Sequence, residues 1–121
     1  MKKVYYHKLI RDRIPENIKA HGGTYSIRKL NPKGFEKELI KKVGEESDGL
    51  LSAKTRKDLI SELGDVLDVI DAIKRLKRIT TVDINRAQRE ALARKGWFNK
   101  RLYLVWSSDT GYRTNERRYK K

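Results

Sequence analysis

Cysteine is absent from the 121 residues, which excludes disulfides, a thiol nucleophile and any cysteine-ligated zinc or iron–sulfur site. Long apolar runs are absent too: none approaches the ~18 residues that suggest a membrane span. Met1-Lys2-Lys3 is followed by His7, Lys8 and Arg11 rather than by an apolar segment, so no signal peptide is expected and a cytoplasmic, membrane-free protein is. No internal repeat, low-complexity tract, P-loop, dinucleotide-binding glycine pattern or zinc-finger spacing is present. Apolar residues are scarce, at 37% against 38% charged, with a mean hydropathy of −0.82. Average globular chains carry about 25% charged residues. The core of this single-domain-sized chain must therefore be concentrated in a few segments or completed by a partner chain.

Charge is plentiful and unevenly placed. The formal net charge is +14. Residues 1–30 carry eight Lys/Arg and two acids, residues 31–72 seven and ten, and residues 73–121 fifteen and four, giving +6, −3 and +11. Basic ends around an acidic centre fit two readings. One is a nucleic-acid binder, in which excess positive charge draws polyanions. The other is a polyphosphate site, with central carboxylates on a divalent metal and basic ends on phosphate.

Periodicity predicts a mainly α protein. Arg13 to Ile18, with Pro15 and Glu16 in a first turn, reads as a short helix ended by Gly22-Gly23. Tyr25 to Arg28 alternates like a weak strand, and Asn31 to Gly34 reads as a turn. Phe35, Leu39, Ile40, Val43, Leu50 and Leu51 line a helix face over 35–51. Thr55 and Asp58 resemble a capping box opening a second long helix, Asp58 to about Arg78. There Leu59, Leu63, Val66, Ile70 and Ile73 follow a 4-3-4-3 rhythm, widened by Ile60, Leu67, Val69 and Leu76. A stripe that wide is buried on more than one side, and with few apolar residues elsewhere a second subunit is expected over part of it. A further helix runs from Thr80 or Thr81 to about Lys95, stopped by Gly96. Arg101 to Trp106 reads as a strand pairing with residues 25–30. Residues 1–106 are expected to form the domain and residues 107–121 a basic, mobile tail.

The informative residues are acids that interrupt the apolar rhythm. Glu46 falls on the apolar ridge of its helix, three residues after Val43 and four before Leu50. Glu62 and Asp65, three apart, neighbour one another at the margin of the next stripe. A buried unpaired carboxylate costs several kcal/mol, so three of them on adjacent helices need compensation. Ion pairs with Lys41, Lys42 or Arg56, or exposure at a bundle edge, would supply it. So would a divalent cation: Mg²⁺ favours oxygen ligands and often shares them with substrate phosphate, and helical bundles build such sites between facing helices. Asp68 and Asp71 continue the i+3 spacing, as outer residues of such a site or as ordinary exposed acids.

Three motifs in order resemble the MazG-like, phosphoribosyl-ATP pyrophosphohydrolase-like family. They are Tyr6-His7-Lys8-Leu9-Ile10-Arg11-Asp12-Arg13-Ile14-Pro15-Glu16, then Glu45-Glu46 with Glu62-Leu63-Gly64-Asp65-Val66-Leu67, then Lys95-Gly96-Trp97-Phe98-Asn99-Lys100-Arg101. The resemblance spans roughly residues 5–106. It implies a helical-hairpin bundle of the all-alpha NTP pyrophosphatase type, assembled as a homodimer or higher oligomer. It also implies Mg²⁺-dependent (or Mn²⁺-dependent) hydrolysis of a nucleoside triphosphate, or a phosphoribosyl-ATP-like substrate, to the monophosphate and pyrophosphate. Carried over by position, Glu46, Glu62 and Asp65 hold the metal, and Glu45 or Asp48 orients or deprotonates water. Lys8, Arg11, Lys95, Lys100 and Arg101 hold phosphate. Tyr6 and Trp97 are candidates to face base or ribose, whereas Phe98 is expected in the core. His7 and His21 receive no catalytic role.

One position departs from the family pattern. Its first motif places acids three apart, and in this register the second of them is Gly49. Glu45 and Asp48 have the spacing but are rotated by about 100°. The site then has three strong ligands, a weaker expected hold on Mg²⁺ and reduced activity, and Gly49→Glu is expected to strengthen it. The competing class is a catalytically weakened relative that binds RNA or another polyanion through its basic ends.

Overall fold

The computed structural model describes residues 2–112 and contains four helices: α1 (Ile14–Ala20), α2 (Pro32–Ser52), α3 (Arg56–Lys77) and α4 (Thr81–Lys95). The protein is mainly α, as the periodicity requires. Two compact units are distinguished, Met1–Ile84 and Asn85–Lys121.

In the first unit, the cluster Asn31 to Gly34 starts a helix rather than making a turn. The Asn31 side chain accepts a 2.8 Å hydrogen bond from the Gly34 N–H, and Pro32 occupies the first helical position. Asn at an N-cap and Pro just after it are both favoured there. Thr55 caps α3 by accepting from the Asp58 N–H at 3.1 Å. Only residues 53–55 separate α2 from α3, a connection short enough to fold two helices back on each other. The antiparallel register is visible at the far end, where Lys77 Nζ lies 2.8 Å from Glu36 Oε1. α3 ends on Arg78 in the left-handed region (φ 55°), with the Ile79 N–H returning to the Lys74 carbonyl at 2.9 Å. Thr80 and Asp83 then cap α4 reciprocally, at 2.9 and 3.1 Å. The Thr80 N–H, helped by its hydroxyl, holds the Asp83 carboxyl below its ordinary range.

The hairpin core is thin. Leu39 on α2 and Val69 on α3 are the buried hydrophobic residues among those described. Ile60, Leu63, Leu67 and Ile70, at helical spacing on α3, remain 57, 43, 63 and 39% exposed, so this stripe is left open along one side.

In the second unit, the remainder of α4 stops at Gly96 (φ 75°), whose N–H bonds to the Leu92 carbonyl at 2.8 Å. The β pair expected between 25–30 and 101–106 is not formed: no strand occurs among the described residues. Arg101 sits in the left-handed region (φ 53°), which breaks the extended run at its first residue. Without a partner, an apolar alternating segment has no ladder to complete. Phe98 is not in a core but 80% exposed, edge-on to Trp97. Of the tail expected over 107–121, residues 113–121 lie outside the described residues. No described helix is long and apolar enough to cross a membrane.

Candidate metal centre

Folding α2 against α3 brings together the three acids that broke the apolar rhythm. One carboxylate oxygen from each of Glu46, Glu62 and Asp65 lies within 4.8 Å of the others, and all three residues are half-buried. Glu62 and Asp65 share a face of α3 because they are one helical turn apart. Glu46 faces them from α2 because the antiparallel register sets its turn of helix opposite theirs.

The neutralising partners weighed from the sequence account for little of this charge. Lys41 pairs with Glu38 at 3.5 Å, and Arg56 makes no ion pair among the described residues. Lys42 donates to Glu45 at 3.0 Å and reaches Glu46 only at 3.9 Å. Arg11, from the segment before α1, donates to Asp68 at 2.8 Å and to Asp65 at 3.1 Å. Glu62 has no ion-pair partner among the described residues. The connected group holds five carboxylates (Glu45, Glu46, Glu62, Asp65, Asp68) and three cations (Lys8, Arg11, Lys42), a net charge of −2.

That balance fits a divalent cation. The donors are all carboxylate oxygens, the type Mg²⁺ and Mn²⁺ prefer. Oxygens on one octahedral Mg²⁺ stand about 3 Å apart when adjacent and about 4.2 Å apart when opposite, closer than the 4.8 Å within which these three lie. Side-chain rotation, or an intervening water, would be needed to bring all three onto one ion.

Gly49 explains how Glu62 reaches this position. A Cβ on Gly49 would lie 2.5 Å from Glu62 Oε2 and 3.1 Å from its Cδ. The Glu62 carboxylate thus rests in the notch left by the missing side chain. Gly49 therefore faces the cluster, although it carries no acid.

The other expected site residues are distributed around this centre. Glu45 is held by Lys42 and by Lys8 at 3.4 Å. Burial opposes its ionisation, but the hydrogen bonds and charges of Lys42 and Lys8 prevail, leaving its carboxyl below the ordinary range. Asp48 is exposed and lies outside the three-acid group. The hydrogen bond to Asp68, against some desolvation, raises the Arg11 guanidinium pKa further. Asp71 pairs locally with Arg75 at 2.9 Å. Tyr6 is exposed. Lys95, Lys100 and Arg101 are exposed and belong to the second unit. The link from Arg11 to Asp68 spans 57 positions, with no local pattern to announce it. No protein-family model, curated protein or solved structure matches the chain.

Proposed function

We propose that the protein is a metal-dependent nucleotide pyrophosphohydrolase that converts a nucleoside triphosphate, or a phosphoribosyl-ATP-like substrate, and water to the monophosphate and pyrophosphate. The observation that carries this reading is the convergence of Glu46, Glu62 and Asp65 within 4.8 Å across the hairpin, in the order of the motifs that resemble the MazG-like family.

In this reading Glu46, Glu62 and Asp65 hold Mg²⁺ or Mn²⁺. Bound there, the ion supplies neutralisation of phosphate charge and acidification of a coordinated water. The chain's own groups do the positioning. Arg11 bridges Asp65 and Asp68, fixing the Asp65 carboxylate while leaving exposed N–H groups for a phosphate oxygen. Glu45, kept ionised by Lys42 and Lys8, accepts a hydrogen bond from water and orients it; its depressed pKa makes it a weak proton acceptor. Asp48, exposed on the next turn, is the alternative water partner. Lys8, which lies 3.4 Å from Glu45, supplies positive charge to the phosphate chain. Water oxygen bonds to the α-phosphorus, and the α–β bridging oxygen leaves with pyrophosphate. Catalysis of this type needs mainly alignment and charge neutralisation.

The open side of α3 supports a homo-oligomer in which a second copy covers Ile60, Leu63, Leu67 and Ile70. The exposed aromatics Trp97, Phe98, Tyr103 and Trp106, set among Lys95, Lys100 and Arg101, favour one second reading. Bases stack on such rings while cations track a phosphate backbone, so RNA or another polyanion is the alternative ligand.

The test is pyrophosphate release from a panel of nucleoside triphosphates with Mg²⁺ or Mn²⁺. Wild-type activity that is abolished in Glu62→Gln is the expected result. Activity untouched by Glu62→Gln rejects the site, and no turnover together with tight, salt-sensitive RNA binding selects the second reading.

A further inference from the structure

We infer that Gly49 is a positioning residue: its missing side chain is what admits the Glu62 carboxylate to the cluster, so Gly49 builds the metal centre rather than marking a lost ligand. The inference rests on the metal-dependent reading above and deepens it.

The argument is steric. α2 presents Glu46 and, one turn on, Gly49 to the seam, while α3 presents Glu62 and Asp65. Of the two acids that α3 contributes, Glu62 is the nearer to the interhelical turn, and it meets α2 at Gly49. A Cβ there would stand 2.5 Å from Oε2, 3.1 Å from Cδ and 3.4 Å from Oε1, so Oε2 and the carboxyl carbon would have to shift and the carboxylate would turn out of its present position. It is the far end of a flexible side chain, and it can leave without moving either helix. The consequence of a side chain at 49 thus falls on where the Glu62 oxygens sit and not on the fold.

Helix propensity sharpens the point. Glycine inside a helix is disfavoured against alanine by roughly 0.5–1 kcal/mol, and of the three glycines of α2 the two in its interior, Gly44 and Gly49, have opposite surroundings. A Cβ on Gly44 meets nothing within 4 Å. Gly44→Ala therefore reports the helix effect alone, and Gly49→Ala reports the same effect plus displacement of Glu62. The inference also reverses the expectation drawn from motif alignment: in Gly49→Glu the introduced acid arrives as Glu62 is expelled, so the count of acids at the seam does not rise.

The experiment is Mn²⁺ titration of the full-length chain by isothermal calorimetry, with thermal melts in EDTA, for wild type, Gly44→Ala, Gly49→Ala, Gly49→Glu and Glu62→Gln. Expected are wild-type Mn²⁺ affinity in Gly44→Ala and a loss of about 10–100-fold in Gly49→Ala, the range seen when a ligand's support is removed. Gly49→Ala is expected to melt no lower than wild type, so that stability and affinity move apart. Gly49→Glu is expected not to exceed wild type. Wild-type affinity in Gly49→Ala, or tighter binding in Gly49→Glu, overturns the role of Gly49 while Glu62→Gln still reports on the centre. Absence of Mn²⁺ binding in wild type and Gly44→Ala alike overturns the metal reading itself, and this inference with it.

Discussion

Glu62→Gln should make the metal-free protein more stable and the metal-loaded protein less so. The substitution keeps the side chain's shape and removes one charge from three whose oxygens lie within 4.8 Å. Two unit charges at that distance repel by about 0.9 kcal/mol at the dielectric of water and about 3.5 kcal/mol at an effective value of 20. The three residues are only half-buried, and Lys42 and Arg11 stand beside two of them, so the lower figure governs. Relief of two such repulsions, less the attraction to those cations, is about 1 kcal/mol, or roughly 4 °C in melting temperature for a domain of this size.

Added Mg²⁺ should reverse the order. At 100 times its dissociation constant a ligand stabilises by about 2.7 kcal/mol; a site weakened 100-fold gains only about 0.4 kcal/mol at the same concentration. Wild type should then exceed Glu62→Gln by about 1 kcal/mol. The assay is urea denaturation in EDTA and in Mg²⁺, with ionic strength matched by NaCl so that general screening is equal in both. Equal stability of the two proteins in EDTA, or an equal gain from Mg²⁺, would show that the carboxylates do not act together and would refute the reasoning.

Other expected outcomes follow from single contacts. Arg78→Gly should stabilise the chain by about 0.5–1 kcal/mol in the same denaturation assay. It relieves a left-handed residue of roughly 1–2 kcal/mol and returns part of that as unfolded-state freedom. Leu67→Glu, on the open stripe of α3, should convert an oligomer to monomer in light scattering; an unchanged mass would place the interface elsewhere. Because the folded-state pKa of Glu45 is depressed, its contribution to stability is complete above the ordinary value of 4.5 and fades as pH falls through the lower folded value. Stability measured from pH 6 downward should therefore drop less steeply in Lys42→Met, and identical slopes would count against the Lys42 contact. If RNA binds, deleting residues 107–121, which hold five Lys/Arg, should flatten the log-affinity against log-salt slope by up to about 3.5.

What could be read from the chain alone was the part governed by local periodicity. The two long helices, the Thr55 cap and the stop at Gly96 follow from spacing and cap chemistry within a few residues. Asn31-Pro32 was open to misreading, because the residues that favour a turn are the same ones that favour a helix start. The strand over 101–106 failed for a different reason. Alternation states what a segment could do with a partner, whereas Arg101 at φ 53° and the exposure of Leu102 to Trp106 show a segment without one.

The candidate centre divides along the same line. That Glu46, Glu62 and Asp65 lie on apolar margins is a property of each helix, visible without knowing how the helices meet. Which acid meets which, and what stands between them, depends on interhelical register, and no one-dimensional pattern encodes it. Aligned to a motif, Gly49 is a missing carboxylate. Seen across the hairpin, it is the space into which Glu62 fits. Removing a side chain and removing a ligand are indistinguishable in sequence, yet they have opposite effects on a site whose donors come from the facing helix. A fourth acid at 49 would add charge where three already repel, and it would need the volume that Glu62 occupies. The smaller residue leaves a net charge of −2, the amount one divalent ion balances.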